Sequence, residues 1–243
     1  MRAPNPSKQP GRLAAGLAFV AGYVDTVGFV ALFGLFTAHV TGNFVLIGSQ
    51  LAHPSGSVLL KLLVFPAFVA AVVVTRLVVL RYEARGDPAV RTLLVGEAIL
   101  LFICLVFGWI ASPVRDADAP LAILTGVFAA FAMGVQNAAA RLALSSLVPT
   151  TVMTGNVTQL VIDAVDLARG GGDAALRARS LRFVGPIGAF ATGAIGGGFG
   201  YVYAGFAALV LPIAILALLV LDDRRSAQAT LTQPVHPEEH LPP

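Results

Sequence analysis

The sequence predicts an all-α integral membrane protein, and three observations carry that expectation. Of its 243 residues, 57% are hydrophobic and 12% are charged, about half the charge of a soluble domain. The mean hydropathy is +0.83. The apolar residues gather into stretches long enough to cross a hydrocarbon core of about 30 Å at about 1.5 Å per helical residue. The net charge of +3 and pI of 9.4 do not point to nucleic acid. The arginines fall in short gaps between apolar runs, where topology signals belong.

Six stretches have the length of spans: 13–35, 58–80, 92–111, 120–141, 183–203 and 205–221. The first follows Arg2, Lys8 and Arg12. At about 23 residues it exceeds the roughly 7–15 of a signal-peptide core, so it is expected to remain as a helix. Pro212 is expected to tilt or kink the short last span. Two further segments, 37–52 and 150–168, are too short or too polar to read as confident spans.

Orientation follows from charge. Arg81, Arg85 and Arg91 fill one gap, and Arg169, Arg177, Arg179 and Arg182 another. Both gaps are expected on the cytoplasmic side, as are the N-terminus and the residues after the last span. Between two gaps on the same side the chain crosses an even number of times. Spans 92–111 and 120–141 already supply two crossings, so segment 150–168 enters the membrane and returns. The same parity applies to 37–52. Eight full crossings remain the alternative.

The halves match. "GYVD" at 22–25 aligns with "GVQN" at 134–137, and Thr41, Gly42 and Asn43 align with Thr154, Gly155 and Asn156. Pro66 and Pro186 each lie in the following span. Three crossings per half is odd, so the second half is expected upside down, an inverted-topology repeat. The expected organisation is a cytoplasmic segment 1–12, a first membrane repeat 13–112, an external loop 113–119, a second repeat 120–221 and a disordered cytoplasmic tail 222–243.

"AGYVDTVGF", "HVTGN", "GVQNAAAR" and "TTVMTGNVTQL" resemble the YoaK family of bacterial membrane proteins (domain of unknown function 1275). The resemblance covers about residues 13–222. It implies a multi-helix inner-membrane protein and implies no substrate.

Each Thr-Gly-Asn precedes a run of helical length. Thr is a good N-cap, Gly permits close approach, and Asn supplies a carboxamide. The tripeptides are expected to begin half-helices inside the membrane, where irregular backbone is tolerated only within protein or beside water. The expected solute site comprises Thr41, Gly42, Asn43, Thr154, Gly155 and Asn156, with Gln136 and Asn137. Pure helix packing is the alternative. Asp25 lies mid-span, where an ionisable group needs a polar partner or cavity. It is the candidate proton carrier, with a structural carboxylate as the alternative.

His39 reads as an interfacial hydrogen-bonder, and Arg141 and Lys61 as side chains that snorkel outward. Glu97 and Arg76 are expected to form an ion pair. In the fifth span Gly185, Ala189, Gly193 and Gly197 form one row of small residues, and Gly188, Thr192, Gly196 and Gly200 another, for close helix contact.

No nucleophile–base pair, paired carboxylates or metal-ligand spacing is evident, so neither an enzyme nor a cofactor is expected. The expected function is a secondary transporter of a small solute, an anion among the candidates, with proton coupling through Asp25. A channel or facilitator, and a non-transporting scaffold or sensor, are the alternatives. The expected partners are the lipid bilayer and the solute, and a homo-oligomer is compatible with the sequence.

Overall fold

The computed structural model describes residues 9–53 and 58–231. Among them are eight α-helices and no strand: α1 (Gln9–Ala31), α2 (Gly42–Ala52), α3 (Leu59–Glu83), α4 (Val90–Ala111), α5 (Pro120–Leu142), α6 (Met153–Ala168), α7 (Ala174–Ala204) and α8 (Val210–Leu231). A 3-10 turn, Gly205–Leu209, joins α7 to α8. Each half therefore has the order long helix, short helix, long helix, long helix. Five helical stretches are long and apolar enough to cross a membrane, and the fifth, Ala174–Asp223, contains both α7 and most of α8. At 11 and 16 residues, α2 and α6 reach only about 16 and 24 Å, short of a core of about 30 Å.

Several boundaries differ from the sequence expectation, each for a local reason. The first helix stops at Ala31, because Phe33 (φ 55°) and Gly34 (φ 79°) are left-handed and turn the chain back. The second arginine gap is mostly helix. Asp173 Oδ1 accepts from the Leu176 N–H at 2.8 Å, caps α7 and starts it before Arg177, Arg179 and Arg182. α8 runs on to Leu231, past the expected end at 221. Residues 1–8 and 232–243, including most of the expected N-terminal segment and much of the expected tail, lie outside the described residues.

Contacts fix the helix directions. Gly193 and Gly197 of α7 lie on the backbone of Phe19 and Tyr23 of α1, in step, so these helices run parallel. On the other side Gly126 of α5 meets Leu60 and Val64, and Gly134 meets Phe68 and Ala71, so α3 and α5 also run parallel. α5 runs against α1: Gln136 Nε2 donates to the Leu17 carbonyl, while Gly126 meets Leu35. α8 runs back along α1, with Leu219 on Gly16 and Ala208 beside Gly200 near Tyr23. Phe206 covers Gly108 of α4, and the other ends of α4 and α8 flank one groove, so those two are antiparallel. Thus α1, α4 and α7 point one way, and α3, α5 and α8 the other. The core between them holds Leu17, Val20, Val24, Leu101, Met133, Phe206 and Leu216.

Three side chains depart from expectation. Arg76 pairs with Glu83 on its own helix at 3.4 Å and does not meet Glu97. Glu97 is buried and its Oε1 has no hydrogen-bond partner among the described residues. It faces inward along the row Leu94, Leu101 and Cys104, away from the surface that carries Arg76. Lys61 does not snorkel outward: it is 1% exposed, and its Nζ donates to the Phe33 carbonyl at 3.0 Å. That bond holds the strained turn after α1.

Only part of each glycine row is used. A Cβ on Gly193 would strike the Phe19 carbonyl, one on Gly197 the Tyr23 carbonyl, and one on Gly22 the Phe190 carbonyl. Backbone cannot swing aside as a side-chain end can. Gly185 and Gly188 have open space instead. Gly193→Val is therefore expected to separate α1 from α7 and lower stability by about 1–3 kcal/mol or more. Gly188→Ala is expected to be neutral. Thermal unfolding of the detergent-solubilised protein checks both, and equal losses would contradict the α1–α7 contact.

Candidate functional site

Past α1 the chain doubles back. Thr37 and Ala38 reach the level of Asp25, six residues before the helix end, or about 9 Å inside it. There Asp25 Oδ1 accepts from the Thr37 N–H at 2.7 Å and the Ala38 N–H at 2.8 Å, with the Thr37 hydroxyl at 3.3 Å. Its Oδ2 accepts from His39 Nδ1 at 2.7 Å. Asp25 is 6% exposed. A carboxylate is suited to this place because it only accepts, and the Thr37 and Ala38 N–H groups only donate.

Past α5 the same construction recurs with neutral groups. Gln136 Nε2 donates to Thr150 Oγ1 at 3.0 Å, and Asn137 Nδ2 donates to Thr151 Oγ1 at 2.8 Å. The spacings agree: His39 lies 14 residues after Asp25, as Thr150 does after Gln136 and Thr151 after Asn137.

The two Asn residues of the tripeptides also act alike. Asn43 bridges residue 36 and Asn156 bridges residue 149, each seven positions back. Asn43 accepts from the Phe36 N–H at 2.9 Å and donates to the Phe36 carbonyl at 2.8 Å. Asn156 donates to the Pro149 carbonyl at 2.6 Å; proline has no N–H to return. These amides satisfy loop backbone at the helix start, the task expected of the threonines. Thr41 is the N-cap of α2 but makes no capping bond, and the N-cap of α6 is Val152. Gly42 is tightly placed, since a Cβ there would lie 3.0 Å from the Phe36 ring, whereas at Gly155 the nearest atom is 3.6 Å away.

Both loops open on one cleft of about 340 Å³. Its polar wall holds His39, Thr41, Asn137, Arg141, Thr151 and Thr154, and Phe65 and Phe68 of α3 form an apolar side. Of the expected site residues, Thr41, Thr154 and Asn137 line this cleft. Asn43 and Asn156 are buried behind it, and Gln136 turns toward α1. Asp25 does not line the cleft and touches it through Ala38 and His39, which do. Sequence reasoning passed over His39, Thr151 and Arg141 as site residues. The recurring spacing of 14 was the signal available for the first two, and the one-turn offset of Arg141 from Asn137 on α5 was the signal for the third.

The difference between the two loops generates a prediction. Asn43→Ala removes two backbone bonds and Asn156→Ala removes one. At about 0.5–1.5 kcal/mol each, with a further cost for the stranded N–H of Phe36, Asn43→Ala is expected to be the more damaging. Thermal unfolding in detergent measures both, and a larger loss for Asn156→Ala would overturn the assignment.

The family described as Protein of unknown function (DUF1275) matches residues 13–221, which contain both loops and every cleft residue named above. The UPF0700 transmembrane protein YoaK of Bacillus subtilis (strain 168) is 32% identical over 151 residues, 60% of this chain and 64% of that protein. The aligned part is thus less than two thirds of that relative's length. No solved structure matches this chain. The paired motifs, the apolar helices and the extent of the match identify a multi-pass membrane protein, and the chain belongs to the DUF1275 family.

Proposed function

We propose that the protein is a secondary transporter of a small solute, with the cleft between the two loops as its site. The observation that carries this reading is the cleft itself: two loops from different halves of the chain open on one cleft that gathers His39, Thr41, Asn137, Arg141, Thr151 and Thr154 on an otherwise apolar helical body. Packing alone would favour apolar closure there. Buried polar groups in a membrane are costly and mark solute or proton paths.

The proposed topology has six spans, α1, α3, α4, α5, α7 and α8, with α2 and α6 re-entrant. The alternating helix directions support it, because α8 runs back along α1 while α7 runs with it. An inverted repeat accounts for the matching element order, the mirrored loop bonds and the opposed directions of α1 and α5. Both termini then lie in the cytoplasm of an inner-membrane protein. With Cys104 replaced by Ser, single cysteines at Arg85 and at Arg177 are expected to resist an impermeant reagent until the cells are opened. Labelling of either in intact cells would sink this topology.

In this reading Asp25 and His39 carry the coupled proton, and transport proceeds as the cleft is exposed to each side in turn. Asp25→Asn is expected to keep the fold. Its Oδ1 can still accept the two loop N–H groups, and its amide can face His39. In vesicles with an imposed pH gradient, wild type is expected to accumulate a labelled small solute from a panel of carboxylates, amino acids and inorganic anions. The Asn variant is expected to lose dependence on the gradient. Uptake that only equilibrates the solute and ignores the gradient in wild type would indicate a facilitator instead.

A further inference from the structure

Charge in the cleft is one-sided. Among the residues that line it, Arg141 and His39 are the only ones that can carry charge, and no carboxylate is present. Arg141 is exposed on the last turn of α5, and no carboxylate of the described residues lies within ion-pair distance of it. Its guanidinium presents a planar fork of donors that matches a carboxylate. The hydroxyls of Thr41 and Thr154 have no hydrogen-bond partner among the described residues, so both remain free to donate. The aromatic side, Phe65 and Phe68, suits a short apolar body rather than a second charge.

His39 sets the sign of the wall. From α1 it meets Asp25 Oδ2, and from α7 the edge of the Phe190 ring at 5.5 Å. Phe36 of its own loop lies at 6.4 Å, and α3 adds Phe65 and Phe68 across the cleft. From α5 the charged neighbour in the cleft is Arg141. With His39 neutral, the Asp25 carboxylate and the Arg141 guanidinium balance. A proton on His39 leaves the wall with one net positive charge. It also completes an ion pair with Asp25 at 2.7 Å. A proton and an anion therefore favour each other's binding, and by linkage the effect is reciprocal.

We propose that the cleft binds a small monocarboxylate, anchored by Arg141, and that a proton held between His39 and Asp25 strengthens that binding. The inference rests on the reading of the cleft as the solute site and names its substrate class.

The test is equilibrium binding to the full-length protein in detergent, with sodium acetate as the probe and acetamide as its neutral counterpart. Acetate is expected to bind and acetamide not to. Acetate binding is expected to tighten as pH falls from about 8 to about 6, as a proton is added to the imidazole. Arg141→Gln is expected to weaken it at least about tenfold, the loss of one charge-assisted anchor, and Arg141→Lys to restore part. His39→Gln is expected to bind acetate only as weakly as wild type does near about pH 8, with the pH dependence flattened. Melting of each unliganded variant separates misfolding from lost affinity. Equal binding of acetamide, undiminished binding by a folded Arg141→Gln protein, or an unchanged pH slope in a folded His39→Gln protein would overturn the proposal. Displacement of acetate by anionic phospholipid, with no tighter binding at lower pH, would assign the cleft to lipid headgroups and overturn it too. The outcomes separate the two readings. Acetate binding without vesicle transport sustains the site and removes the transporter. Gradient-driven uptake of a neutral solute without acetate binding does the reverse.

Discussion

The structure depends on one constraint: backbone that leaves a helix within the membrane must find its hydrogen bonds inside the protein. Residues 32–41 leave the helical ladder after Ala31 and turn back about 9 Å along α1, to the level of Asp25. Their N–H groups cannot bond to lipid. Asp25 accepts two of them and a hydroxyl on one oxygen, and Asn43 accepts from the Phe36 N–H and donates to the Phe36 carbonyl. Lys61 holds the Phe33 carbonyl. Without those three side chains the loop would strand several polar groups, each costing kilocalories in hydrocarbon.

The second loop solves the same problem with neutral chemistry. Gln136 and Asn137 reach the hydroxyls of Thr150 and Thr151, and Asn156 reaches the Pro149 carbonyl. The two constructions are alike in spacing and unlike in charge. That asymmetry places His39 on one wall of the cleft, with the Asp25 carboxylate buried behind it. Arg141 stands on the wall supplied by α5. A device needed for folding thereby also gives the cleft its electrostatic character.

Helix packing leaves room for that cleft. α1 lies backbone to backbone on α7, through Gly22, Gly193 and Gly197, and α3 lies closely on α5 through Gly126, Gly134 and Ala71. Each pair joins a helix of one half to a helix of the other. The loops cross between the pairs: the first is pinned to α1 but leads into α2 beside α3, with the Phe44 ring tilted against Phe65 at 5.0 Å. The second is pinned to α5 but leads into α6, which is clamped to α7 by Asp163 and Arg179 at 2.6 Å.

By itself the sequence determined the membrane class, the positions of the long helices and the two breaks. Those properties reside in apolar run length, arginine placement and the repeated Thr-Gly-Asn, all of which are local. It also singled out Asp25, because a carboxylate in an apolar run is conspicuous. Only the tertiary structure decided what the polar residues do. Glu97 and Arg76 look like partners along the chain, but helix rotation turns one to the core and the other to the surface. Threonine looked like the cap, yet the loop's turn places Asn43 and Asn156 closer to the unsatisfied backbone. Arg141, His39 and Thr154 are more than a hundred positions apart at the extremes, and they share a cleft because α5 folds back against α1. That meeting depends on which helix faces touch, and run length and composition carry no record of it.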